Sequence, residues 1–88
     1  MVPGMTDLWW TTQACQIEVI WMTLENSIRD WLRAEKVKYE QGAGIRSGRG
    51  AGSATYFAMT EDDAARCRKF FATRLREQRA RFNLEDYQ

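Results

Sequence analysis

The stretch from Ala54 to Leu75, ATYFAMTEDDAARCRKFFATRL, constrains the fold more than any other part of the chain. An aromatic, strand-like run (Thr55, Tyr56, Phe57, Ala58, Met59) meets a helix start at Thr60. The Thr60 hydroxyl is placed to accept from the first unpaired N–H groups of a helix. Asp63 stands three residues on, where a capping box carries its acid. Glu61, Asp62 and Asp63 suit the positive end of the helix dipole, and Arg74, Arg76, Arg79 and Arg81 suit the other. The pattern predicts a strand over Ala54–Met59 and then a helix from Thr60 to about Phe82. On a wheel of about 100° per residue, Ala64, Cys67, Phe71, Leu75, Gln78 and Phe82 share the core-facing side. Phe70 falls off that stripe, between Arg74 and Arg81.

An echo of this unit lies earlier in the chain. Val19-Ile20-Trp21-Met22-Thr23-Leu24-Glu25-Asn26 parallels Tyr56-Phe57-Ala58-Met59-Thr60-Glu61-Asp62-Asp63: an apolar run, Met-Thr, then an acidic or amide-bearing turn. The echo predicts a strand over Gln13–Met22 followed by a helix beginning near Thr23 and running to Lys36. That helix buries Leu24, Ile28, Trp31 and Leu32 and exposes Glu25, Arg29, Asp30 and Arg33. A competing reading is one continuous helix through Cys15–Ala34, since Ile17, Trp21, Leu24, Ile28, Trp31 and Leu32 also recur at helical spacing. Val37–Gln41 reads as a short second strand.

The expected fold is therefore α+β: a small antiparallel sheet of about three strands with two helices on one face, in the order βαββα. That order and its pseudo-symmetry resemble the ferredoxin-like sandwich, an analogy of fold that implies no function. The alternative is a mostly α chain with a β-hairpin.

Gln41–Ala54, QGAGIRSGRGAGSA, holds five of the six glycines, with Arg46 and Arg49 its only charges. Each glycine inside a helix or strand costs about 0.5–1 kcal/mol, so residues 42–53 read as a flexible hairpin tip. Gly48-Arg49-Gly50-Ala51-Gly52-Ser53 lacks the last glycine of GxGxxG and precedes a strand where that motif needs a helix. A loop that moulds to a protein or nucleic-acid partner fits better than a nucleotide cradle.

With 88 residues, 44% of them hydrophobic and 28% charged, the chain is expected to be one small domain. Residues 1–6, with Pro3 and Gly4, read as a disordered start and residues 83–88 as an acidic tail. A net charge of +1 gives no strong pull towards nucleic acid or membrane. Histidine is absent, which removes the commonest general base and metal ligand. Cys15 and Cys67 form no CxxC pair and read as small core residues. No nucleophile has a base beside it in sequence, so neither an enzyme nor a cofactor or metal protein is expected. No apolar run approaches the roughly 18 residues of a membrane span, and Met1–Asp7 is unlike a signal peptide, so a cytoplasmic protein is expected.

The function is expected from what the sheet leaves uncovered. Ile20, Met22 and one of Trp9 or Trp10 should lie on its outer face, with Glu18 and Lys38 in water, and an apolar patch of that kind marks a partner site. The expectation is a protein-binding module of adaptor or inhibitor type, able to homodimerise through the sheet. An accessory protein of a phage or mobile element acting on a host protein complex would have this character. The candidate contact residues are Trp9, Trp10, Arg46, Arg49, Phe70, Arg74 and Arg81. The alternative is a nucleic-acid-binding domain that uses Arg46 and Arg49 with the arginines of the second helix, although the wheel spreads those around the helix rather than along one stripe.

Overall fold

Thr60 caps a helix as its position predicts. Its Oγ1 accepts from the Asp63 N–H at 3.3 Å and donates to Asp63 Oδ2 at 3.0 Å. Around this point the computed structural model describes residues 9–47 and 52–82; the expectations for residues 1–6, Arg49 and residues 83–88 lie outside the described residues. A 3-10 turn, Gln13–Cys15, leads into β1 (Gln16–Val19), then α1 (Met22–Ala34), β2 (Glu40–Ile45), β3 (Ser53–Ala58), α2 (Glu61–Phe70) and α3 (Ala72–Phe82). The sheet is antiparallel in the order β1-β3-β2, so the fold is α+β with the βαββα arrangement. The mostly α alternative and the continuous helix through Cys15–Ala34 do not form.

The core lies between one sheet face and the helices. Ile17 and Val19 of β1, Phe57 of β3 and the following Met59 meet Leu24, Ile28 and Leu32 of α1 and Ala64, Cys67, Phe71 and Leu75 of α2 and α3. The wheel for the last helix is correct for Ala64, Cys67, Phe71, Leu75 and Gln78, all buried, while Phe82 at its end is half-buried. It is wrong in continuity: the helix bends at Phe71, whose φ of −104° and ψ of 21° separate α2 from α3. Trp31, expected in the core of α1, is half-buried at its margin, where its ring meets Phe71 edge-on at 6.2 Å.

Three boundaries differ from expectation, each for a tertiary reason. The strand expected over Gln13–Met22 shrinks to Gln16–Val19, because Met22 already opens α1 and the Ile20–Trp21 connection is held from α3 by Gln78. The two units therefore diverge at the cap: Thr60 serves α2, whereas α1 has Trp21 at the capping position with no side-chain hydrogen bond. The strand expected over Val37–Gln41 lies at Glu40–Ile45 and runs through the first glycines. Gly42 and Gly44 belong there because aromatic rings lie on them. A Cβ on Gly42 would stand 3.0 Å from Trp10 Cη2, and one on Gly44 would stand 3.3 Å from Tyr56 Cε2.

The pleat assigns every strand group a direction. Met59 N–H donates to Cys15 O at 2.9 Å, so Cys15, Ile17 and Val19 point their backbone groups at β3, while Gln16 and Glu18 turn theirs outward. Across β3 the parity places Glu40, Gly42 and Gly44 against β3, in line with the 3.2 Å bond from Arg46 N–H to Gly52 O. Gln41, Ala43 and Ile45 then face away from the sheet.

Candidate functional site

The outer face of the sheet is not the apolar surface the sequence suggested. Trp9 and Trp10 lie on a helical turn, residues 9–11, and both are half-buried. Trp10 spreads over Gly42 and donates from Nε1 to Glu40 Oε1 at 3.0 Å. Glu18, expected in water, is only 5% exposed. Its carboxylate accepts from Ser47 N–H (2.7 Å), Ser47 Oγ (2.6 Å) and Tyr56 Oη (2.6 Å). These three donors compensate the buried charge and pin Ser47 at the end of β2 across the sheet. Ile20 and Met22 are not on this face. Ile20 is half-buried in the connection after β1, and Met22 is the first residue of α1, 74% exposed.

The predicted arginines are drawn into the fold. Arg46 lies over the Phe82 ring with its guanidinium carbon 5.8 Å from the centroid, and Arg81 lies over Trp21 at 5.9 Å. Trp21 and Phe82 meet edge-on at 5.9 Å, so the two rings touch each other and each carries a cation. Arg74 donates to Ser27 Oγ at 3.2 Å and Thr23 Oγ1 at 3.3 Å, tying α3 to the first turns of α1. Arg68 donates to the carbonyls of Gln13, Ala14 and Gln16. Arg66 pairs with Glu35 at 2.6 Å and Asp63 at 3.1 Å. These arginines are spent on the protein's own acceptors and rings.

Phe70 differs from the other predicted residues. It is 67% exposed, and its ring lies 5.9 Å from Trp31 and 5.0 Å from Phe71. With Trp31, Glu35, Arg66 and Lys69 it lines an open depression of about 590 Å³. Arg66 completes the site by lying 5.4 Å above the Trp31 ring. The sequence separates these residues: helical spacing assigns Trp31 to the core, and nothing in the chain order joins the end of α1 to the end of α2. Of the predicted contacts among the described residues, Phe70 and Arg81 are exposed, and Trp9, Trp10, Arg46 and Arg74 are half-buried; Trp10, Arg46, Arg74 and Arg81 each touch a group of the fold, which leaves Phe70 as the exposed aromatic ring.

Burial pushes the Cys67 thiol up to about 12, and burial followed by the Glu61 charge raises Cys15, so both stay protonated thiols at neutral pH. They are free, as core residues are. Among the described residues, no three of His, Cys, Asp and Glu gather where a metal ion could sit. No helix of the described residues is long and apolar enough to cross a membrane. Neither known protein families, nor curated proteins, nor solved structures offer a match to the chain.

Proposed function

We propose that the chain is a non-catalytic protein-binding module, an adaptor or inhibitor, whose contact surface is centred on Phe70. The observation that carries this reading is the exposed Phe70 ring stacked beside Trp31, with Arg66 and Lys69 around it. Aromatic rings and arginine are enriched at protein interfaces, where a central ring that a partner can enclose supplies most of the energy. The half-exposed Arg66–Glu35 pair at the rim gives orientation more than affinity. A nucleic-acid partner fits less well, because Arg66, Arg68, Arg74 and Arg81 already hold acceptors or rings within the fold.

The test is capture of partners from nuclease-treated extract of the native host by immobilised chain, repeated with Phe70→Ala. A partner that resists 200 mM salt, and whose affinity the variant lowers at least about tenfold, supports the reading. Equal capture by both chains overturns it. Bound material that is nucleic acid and that salt between 50 and 200 mM removes would point to the other class of partner.

A further inference from the structure

The outer edge of β2 is a ready strand partner, and we infer that it pairs with the same edge of a second copy of the chain, joining two sheets into one across a two-fold axis at Ala43. This rests on no part of the Phe70 reading. Gln41, Ala43 and Ile45 turn their N–H and C=O groups away from β3, and all three residues are exposed. Apart from Ile45 O, which lies 2.8 Å from Tyr56 Oη, shares that hydroxyl's one proton with Glu18 Oε2 and keeps a second lone pair, these outward groups have no partner among the described residues. Natural edges are usually blunted by charge, proline or a covering element. Gln41-Gly42-Ala43-Gly44-Ile45 carries neither charge nor proline.

Self-complementarity selects the occupant. An isologous antiparallel pair needs an outward-facing residue at its centre, with outward-facing residues at equal distances on either side. Ala43 is that centre, and Gln41 and Ile45 flank it. With Ala43 opposite Ala43, Gln41 opposes Ile45 of the second copy, and every outward N–H meets an outward C=O. Gly42 and Gly44 put no side chain in the way of the approaching strand. Glu40, which also accepts from Trp10, and Arg46, which also lies over Phe82, bracket the segment with opposite charges, and the two-fold sets the negative end of one strand beside the positive end of the other.

Apolar surface sits at the same margin. Ile45 is 83% exposed and Met22 is 74% exposed. Arg29 of α1 meets Gln41, and Glu25 meets Thr55, the partner of Ala43. Met22 opens α1 one turn before Glu25, so the helix, followed backwards from Arg29, leads from the Gln41 end of the strand towards its Ile45 end. In the pair, Ile45 and Met22 of one copy face Gln41 and the aliphatic stem of Arg29 of the other, and leave water.

The experiment is light scattering over a dilution series from micromolar to submillimolar, with wild type, Ala43→Pro and Ile45→Lys. Proline at position 43 removes an outward N–H and no bond to β3, so the fold is spared. The wild type is expected to run at twice the 10.3 kDa of one chain at the upper end and to dissociate on dilution. Ala43→Pro should weaken association at least about tenfold, and so should Ile45→Lys, which keeps the backbone intact should proline disturb folding. Phe70→Ala should leave association unchanged. A wild type that stays monomeric throughout overturns the inference, as it would if the edge served an extended peptide of a foreign partner. A dimer that survives both edge variants overturns it equally.

Discussion

The two edges of the sheet meet opposite fates. At β1 the outward carbonyls of Gln16 and Glu18 are taken by side chains from the helices, Arg68 Nη2 at 2.7 Å and Gln78 Nε2 at 2.9 Å. Gln78, 1% exposed, also accepts the N–H of Ile20 at 2.6 Å and of Trp21 at 3.3 Å, so one side-chain amide closes the strand edge and the approach to α1 together. At β2 the outward carbonyl of Ile45 meets Tyr56 Oη at 2.8 Å, but the outward groups of Gln41 and Ala43 have no partner among the described residues. A chain that blunts one edge with its own helices can leave the other for pairing without polymerising, since growth through both edges is what makes sheets aggregate.

Breaking the closed edge should cost most. Gln78→Met keeps the volume but strands two N–H groups and a carbonyl, and should lower stability by about 2–4 kcal/mol in urea unfolding. A cost as small as that of an ordinary surface change would mean that water replaces Gln78 and that the edge is not closed by it. Arg68→Met should cost about 1–3 kcal/mol, less because the side chain is half-buried and water can reach the carbonyls it leaves. Both variants should also associate more readily at high concentration, and unchanged solubility would weaken the view that these side chains guard the edge.

Thr60→Ala should cost about 1 kcal/mol through the lost cap of α2. The cap holds α2, and with it Arg68, in register with β1, so the variant tests how far the closed edge depends on the helix that serves it. Ala43→Pro should change monomer stability least, by under about 1 kcal/mol, because the N–H it removes has no partner among the described residues. A loss as large as that of Gln78→Met would show that β2 is paired on both sides.

What the sequence disclosed follows from how local each determinant is. The Thr60 cap, the β3 strand and the buried face of α2 and α3 depend on residues within a turn or two of one another, and they were legible. The closed edge was not, because Gln78 acts on residues 57 to 60 positions away, and a glutamine on an apolar stripe does not announce its partner. The glycines misled for the same reason. Counted by propensity they argue for a loop, but Trp10 and Tyr56, brought in by tertiary packing, make small residues at 42 and 44 the ones that fit a strand. Glu18 looked like a solvated residue because its three donors come from Ser47 and Tyr56. At the candidate site, Phe70 was legible as the ring left off the wheel. Its setting was not, since Trp31 and Glu35 reach it only once α1 and α2 are packed together.

Hydrogen exchange followed at single amides addresses the contrast between the edges most directly, with Ile20 and Ala43 compared at high and low protein concentration. Gln78 holds the Ile20 N–H within one chain, so its protection should be strong and independent of concentration. The Ala43 amide should be protected at high concentration and should approach the rate of an open amide on dilution. Ala43 protected equally in the dilute monomer, or Ile20 exchanging as fast as Ala43, would contradict the account of one edge closed and the other kept for a partner.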